Sequence, residues 1–374
     1  MRRTRRSGRD GAATSACEAS TAGRVATAPH GNLHRGADEY ACSLSTLRYR
    51  LGTARLHARL FARKSIGRAR RYPTSAPIVP RPPRPRGRRT LRLTHALVAS
   101  DLNPLYLDFW PLVRRAWSEV TGLEAVLVLI ARTDDVPEHL QGDPAVVVFE
   151  PLPGVHTAFQ AQCIRLLYPA LVEGDGVITS DADMVPMNRR YFWRPVSRIA
   201  DDHFVSYRDV YLASREITMC YNAAAPRTWG AVFGVSTADD VRDMLATWAE
   251  AVEYAGHHGG AGWLTDQQLL YRTLVDYGSR SGKVWILDDH FTGYRRLERA
   301  LLLRQGNLEP RDRRLIARGA YSDFHCVQPY GQFRELNDLA VDLAIEGIRL
   351  RKRRFRLGAA AAGAVAGTQS SARQ

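Results

Sequence analysis

The feature that most restricts this chain is an alternation that begins near Leu91, where apolar runs of strand length take turns with longer segments of helical period. Residues 95–100 read as a strand, 104–120 as a helix opened by Asn-Pro, and 123–131 and 145–149 as strands rich in Val, Leu and Ile. Residues 157–172 read as a helix, followed by a strand that runs to Asp181. Strands that are apolar throughout must be covered on both faces. The pattern therefore implies an α/β body with a mostly parallel central sheet flanked by helices. Beyond it, 239–254 and 265–277 read as helices, 283–288 as a strand, and 333–356 as a terminal helix with a basic end. No internal repeat is present.

Charge is spread unevenly over the 374 residues, whose formal net charge is +15. Residues 1–90 hold 21 Lys and Arg against 4 acids, and residues 345–374 hold 7 against 1. The segment between them keeps 25 bases and 33 acids, a net of −8. A mildly acidic body argues against a nucleic-acid-binding face, while the basic N-terminal arm leaves polyanion binding open as an accessory role. Residues 1–45, poor in apolar side chains and rich in Ala, Gly, Ser and Arg, are expected to be disordered. Residues 46–71 suit a short basic helix, and the Pro/Arg stretch 77–89 an extended linker. The expected organisation is a disordered basic arm over 1–90, a folded domain over 91–335, and a basic helix with a low-complexity tail over 336–374. Five scattered cysteines without a Cys-X-X-Cys spacing fit a reducing compartment and no disulfide framework. No apolar run approaches the roughly 20 residues of a membrane span. The start lacks an apolar signal region, so the expected location is cytoplasmic; its Arg, Ala and Ser also suit an organelle transit peptide.

The chemistry gathers around Val177-Ile-Thr-Ser-Asp-Ala-Asp-Met-Val-Pro186. In an extended chain, residues i and i+2 share a side, so Asp181 and Asp183 are expected to aim together beyond the strand's carboxyl end. Ligands of open α/β sheets bind there. Two hard oxygen ligands suit Mg²⁺ or Mn²⁺, whose shell substrate phosphates complete. The plain alternative is a turn whose aspartates satisfy backbone N–H groups. His325, in Tyr321-Ser-Asp-Phe-His-Cys-Val-Gln-Pro-Tyr330, is the candidate third ligand, against a core or capping histidine.

Other residues read two ways. The loop Gly256-His-His-Gly-Gly-Ala-Gly-Trp263 has the glycine content of a mobile lid, with His257 and His258 as lid residues. Thr265 is a candidate N-cap, and Asp266 then either favours the helix dipole or faces the sugar or acceptor. Asn222, a polar residue before three alanines, admits a substrate closely or closes a tight loop. Arg165 balances the carboxylates, holds a phosphate or lies on a solvated helix face. Ser100, Asn103 and Tyr106 follow the first strand, where nucleotide-contacting loops lie, although Asn103 also suits a helix cap. Trp263 and Tyr294 stack on sugars or pack the core.

Taken in order, Ser180-Asp-Ala-Asp-Met-Val-Pro186, Tyr221-Asn-Ala, Thr265-Asp-Gln-Gln and Asp323-Phe-His325 resemble the A-type glycosyltransferase fold of the nucleotide-diphospho-sugar transferases. The order is similar to that of the glycogenin-like retaining transferases, and the resemblance covers roughly residues 91–335. One motif departs: the family's histidine motif continues through Gly and Lys toward Pro-Trp, and here it reads His-Cys-Val-Gln-Pro-Tyr330, with no matching lysine. The resemblance implies that Asp181 contacts the donor ribose and the metal, and that Asp183 and His325 ligate Mn²⁺ or Mg²⁺. It also implies that Asn222 and Asp266 orient the donor sugar or the acceptor hydroxyl. The implied activity is metal-dependent transfer of a sugar from a nucleotide-diphosphate donor, UDP being the commonest, to an unknown acceptor, with motif order leaning to retention.

Three other classes compete. A sugar nucleotidyltransferase wants a glycine-rich basic loop after the first strand, where this chain has Ser100-Asp-Leu-Asn-Pro-Leu-Tyr106. A phosphohydrolase of the haloacid-dehalogenase type wants its acidic pair near the domain start, followed by Gly-Thr rather than Met-Val-Pro. The third is a catalytically inactive scaffold whose basic arm binds nucleic acid or an anionic surface, with steep salt dependence as its hallmark.

Overall fold

In the computed structural model, residues 89–288 and 294–371 are described, with side chains as far as 353. The expected basic arm, its short helix and most of the Pro/Arg linker lie outside the described residues.

The body is α/β. Strands β1 (His95–Asp101), β2 (Glu124–Ile130), β3 (Val146–Phe149), β4 (Val177–Thr179), β6 (Phe204–Ser206), β7 (Asn222–Ala224) and β8 (Val284–Ile286) form one sheet. Their order is β3-β2-β1-β4-β7-β6-β8. Only β7 runs against the others, pairing antiparallel with both β4 and β6. The mostly parallel sheet expected from the sequence is the one found.

Strand β1 shows why its sequence is apolar throughout. Ala96 and Val98 enter one core, while Leu97 and Ala99 enter the other. The first core packs against α2 (Trp110–Ala116), α4 (Arg189–Val196) and the long α10 (Tyr330–Ser371). The second is covered by α3 (Thr157–Leu167), α5 (Pro226–Phe233), α6 (Ala238–Glu250) and α7 (Thr265–Ser281). A small sheet of order β5-β10-β9 stands beside the large one, built from β5 (Met184–Pro186), β9 (Arg295–Leu297) and β10 (Tyr321–His325). Strand β5 follows β4 almost at once, so the acidic motif is the joint between the two sheets.

Some elements differ from expectation. Residues 104–120 do not form one helix. A short α1 (Pro104–Leu107) precedes α2, and a π turn over Trp117–Thr121 ends at Gly122 with φ of 76°. Pro111, in the first turn of α2, has no N–H with which to continue a helix arriving from α1. Helix α3 stops at Leu167 and tightens into a 3₁₀ turn, Tyr168–Leu171, that contains Pro169. Two short helices, α8 (Arg299–Gln305) and α9 (Pro310–Arg318), lead into the small sheet. Helix α10 kinks at Phe333 and its backbone stays helical past residue 359, where a low-complexity tail was expected. Gly347 lets α10 lie directly on α9: a Cβ there would sit 2.2 Å from the Ala317 carbonyl oxygen. Cys163, Cys220 and Cys326 are buried free thiols. No described helix is long and apolar enough to cross a membrane.

Candidate active site

Strand β4 ends at Thr179, and the chain then turns. The Met184 amide donates to the Asp181 carbonyl at 3.2 Å, closing a turn over 181–184. This corrects the expectation that an extended backbone aims Asp181 and Asp183 to one side. The chain must change direction here to enter β5, which pairs antiparallel with β10. Aspartate suits such turns, and that preference competes with strand extension. The two carboxylates therefore face different partners.

Asp181 is held from α3. Arg165 donates from Nη1 to its Oδ1 and from Nη2 to Asp266 Oδ2, the latter at 2.8 Å. Arg165 is buried, so it is not on a solvated helix face. Asp181 Oδ2 accepts from the Cys220 thiol at 3.0 Å. Asp266 lies buried in the first turn of α7, where its Oδ1 accepts from the Gln267 amide at 2.8 Å. Burial, with the like charge of Asp181, pushes the Asp266 carboxyl up to about 6 against the pull of Arg165.

Asp183 is buried and faces the small sheet. Its Oδ2 accepts from Arg299 Nη1 at 3.2 Å, His325 Nε2 at 3.2 Å and Gln328 Nε2 at 3.1 Å. Burial alone would raise this carboxyl, but the His325 hydrogen bond and the charges of His325 and Arg299 hold it below the usual range. Burial alone would lower the His325 imidazole, yet its bonds to Asp183 and Glu298 carry it up to about 9. Glu298 Oε2 stands 3.9 Å from His325 Nδ1. Gln328 also donates to the Leu105 carbonyl at 3.3 Å, tying α1 to Asp183. The Tyr106 phenol rises through burial and then through the charge of Asp183. The His258 imidazole is lowered by burial and by Arg299, and its ring lies 5.0 Å from Trp263.

Behind the acidic turn lies a buried network. Asp323 accepts from Arg296 Nε at 2.9 Å and Nη2 at 2.7 Å, and from the Tyr221 hydroxyl at 3.0 Å. Arg296 Nη2 is also 3.8 Å from the Cys220 sulfur, so the network reaches Asp181 through that thiol.

The remaining expected residues have definite places. Ser100 donates to the Asp101 carbonyl at 2.8 Å. Asn103 caps α1, accepting from the Leu105 amide at 3.0 Å. Asn222 is fully buried, and its Nδ2 donates to the Thr218 carbonyl at 2.8 Å and the Met219 carbonyl at 3.1 Å. Its Oδ1 is buried with no hydrogen-bond partner. Tyr294 packs on Tyr191 with ring centroids 5.6 Å apart. The glycine-rich loop is tied by its own backbone: Ala255 donates to Ala261 at 2.9 Å and Gly260 to His257 at 3.1 Å. At Gly262, with φ of 75°, a Cβ would lie 2.5 Å from the Glu253 carbonyl oxygen. That glycine serves close packing, where a mobile lid was expected.

Arg296, Glu298, Arg299, Gln328 and Cys220 were not singled out from the sequence. The run Tyr294-Arg-Arg-Leu-Glu-Arg299 is conspicuously basic within an acidic body, but only the β9–β10 pairing brings it to the motif.

No family model matches the chain, and no curated protein matches it. Among solved structures it is similar to the apo-form glycosyltransferase GlyE of Streptococcus pneumoniae TIGR4, with a TM-score of 0.38 and 11% identity. That similarity covers 70% of this chain and 64% of GlyE, less than two thirds of the latter's length. It is also similar to the galactosyltransferase LgtC in complex with donor and acceptor sugar analogues, with a TM-score of 0.35 and 13% identity over 67% of this chain and 95% of LgtC. Both of these proteins are glycosyltransferases.

Proposed function

We propose that this chain is a metal-dependent glycosyltransferase that moves a sugar from a nucleoside-diphosphate donor to an acceptor hydroxyl. The observation that carries the reading is the meeting of Asp183 Oδ2 and His325 Nε2 at 3.2 Å, from positions 142 residues apart. Two ligands about 2.1 Å from one ion, on adjacent octahedral positions, stand about 3 Å from each other. A carboxylate and an imidazole beyond the carboxyl end of β4 suit Mn²⁺ or Mg²⁺. Among the described residues no group of three or more His, Cys, Asp or Glu forms a ready-made cage. A platform of few protein ligands, completed by phosphate and water, is the habit of Mg²⁺. Asp183 and His325 would hold the ion, with Asp181 next to them.

A bound ion would offset charge developing on the departing diphosphate. Arg165 fixes Asp181 and Asp266 relative to each other. Asp266, buried and bonded to Arg165 and to the Gln267 amide, would orient the sugar or acceptor through the position it gives Arg165 and Asp181. Asn222, fully buried, would act from behind the site, through the segment whose Thr218 and Met219 carbonyls it holds. Ser100, Asn103 and Tyr106 border the nucleotide side. UDP is the first donor to try. Polyanion binding by the basic arm stays an accessory proposal, and steep salt dependence tests it.

The test is thermal unfolding with UDP, GDP, CDP and ADP sugars, each with Mn²⁺ or with chelator. A shift that needs the metal and one nucleotide supports the reading by mass action. No shift with any donor, from a protein that melts cooperatively, sinks it and favours the scaffold.

A further inference from the structure

Asp183 Oδ2 is a crowded atom. It accepts hydrogen bonds from Arg299, His325 and Gln328. An ion bound at this oxygen and a guanidinium bonded to it are like charges on one acceptor, so the entry of either weakens the hold of the other. Gln328 is neutral and also bonded to Leu105, so it has no charge to be repelled. The conflict falls on Arg299.

Arg299 also has the means to move. Three arginines bracket the acidic turn, and their side-chain exposures rank them: Arg165 at 9%, Arg296 at 18% and Arg299 at 29%. Arg165 is tied to both Asp181 and Asp266, and Arg296 binds Asp323 through two nitrogens. Among the described residues Arg299 is paired with one carboxylate, Asp183, through one nitrogen at 3.2 Å. Glu298, its neighbour in sequence, is engaged with His325. Tyr106 on α1 and His258 in the glycine-rich loop both feel the charges of Asp183 and Arg299. A guanidinium displaced from Asp183 favours a new anionic partner. Its planar fork matches phosphate oxygens, and the segment 325–330 supplies no lysine for that task.

We propose that Arg299 exchanges Asp183 for the diphosphate of the donor when the ion enters, so that this one side chain couples metal binding to nucleoside-diphosphate binding. The inference rests on the metal and donor assignment of the proposed function. With no diphosphate present, Arg299 competes with the metal for Asp183. With one present, Arg299 leaves the carboxylate and clamps the phosphates. Each ligand then raises the affinity of the other by the same factor, as linkage requires.

The experiment is calorimetric titration of Mn²⁺ into the full chain, alone and with saturating UDP, GDP, CDP or ADP, for wild type, Arg299→Ala and Arg299→Lys. Wild type is expected to bind Mn²⁺ about fivefold or more tightly with the preferred diphosphate. Arg299→Ala is expected to bind Mn²⁺ alone more tightly than wild type, with a coupling factor reduced about fivefold. Arg299→Lys keeps the charge without the fork and falls between the two. Weaker Mn²⁺ binding by Arg299→Ala alone would overturn the proposal, since it would make Arg299 a buttress of Asp183. A coupling factor unchanged in Arg299→Ala would overturn it equally. If no diphosphate binds wild type, the donor assignment fails, and the titrations with Mn²⁺ alone still judge the competition at Asp183.

Discussion

Arg165 on α3 and Asp266 on α7 are joined at 2.8 Å across 101 residues of sequence, both of them buried. The other arm of the same guanidinium holds Asp181. One cation thus serves two carboxylates, one at the rim of the site and one beneath it. The helices that cover one face of the sheet are thereby locked to the acidic turn.

Removing Arg165 should be costly. Arg165→Met removes the cation that holds the buried Asp266 ionised, so the carboxyl must take up a proton or stay charged without its partner, at a cost of about 3–5 kcal/mol. The double variant Arg165→Met with Asp266→Asn should recover much of the loss, because no uncompensated charge remains. Urea unfolding of the three proteins measures both quantities. A loss below about 1 kcal/mol in the single variant would show the bridge to be no stronger than a surface pair.

Asp266 should also leave a mark on the pH dependence of stability. Its carboxyl titrates at about 6 in the folded chain and at about 3.9 when unfolded. Between those values the folded state binds more protons than the unfolded one. This residue's contribution is therefore fully present below pH ~4 and is lost as pH rises through ~6. The difference amounts to about 3 kcal/mol. Relative to Asp266→Asn, wild type should lose stability from pH 4 to pH 7. Parallel stability curves for the two proteins would show that Asp266 does not titrate in this window.

The proposed metal platform predicts a pair of matched losses. Asp183→Ala and His325→Ala should each abolish the Mn²⁺-dependent part of nucleotide stabilisation. Asp183→Ala also strands the donors of Arg299, His325 and Gln328, at a stability cost of about 1–3 kcal/mol. His325→Ala should cost less, since that ring is only partly buried. Melting curves with Mn²⁺ or chelator separate the two effects. A metal-dependent shift that survives in Asp183→Ala would remove that residue from the platform.

Two glycines of α10 give a contrast for the fold. Gly347→Ala drives a methyl into the Ala317 carbonyl, while a Cβ at Gly331 meets nothing within 4 Å. The first substitution should destabilise by about 1–3 kcal/mol through overpacking. The second should be neutral, or stabilising by up to about 1 kcal/mol through helix propensity. Thermal melts of both variants decide it, and equal behaviour would mean that α9 yields at the crossing.

The large sheet was legible because its strands are apolar on both faces, as the split of Ala96 and Val98 from Leu97 and Ala99 explains. The interruption of helix 104–120 follows from Pro111, which has no N–H to continue the helix arriving from α1. The acidic motif stood out for the strand before it, but its local shape was misjudged, because the turn from Asp181 to Met184 answers to β10, far along the chain. For the same reason Arg296 and Arg299 were invisible as site residues. Nothing in their immediate neighbours says that β9 will lie along β10 and carry them to Asp323 and Asp183. Arg165 was legible as a candidate, and its burial between two aspartates was not.

The turn over 181–184 places Asp181 two residues past the end of β4 in the large sheet and Asp183 one residue before β5 in the small one. The two carboxylates are the jaws of a caliper whose arms are the sheets. Shear between the sheets would alter the jaw spacing before it altered any strand pairing. Substitutions buried under β9 or β10 should therefore register first at the acidic pair, well away from where they are made.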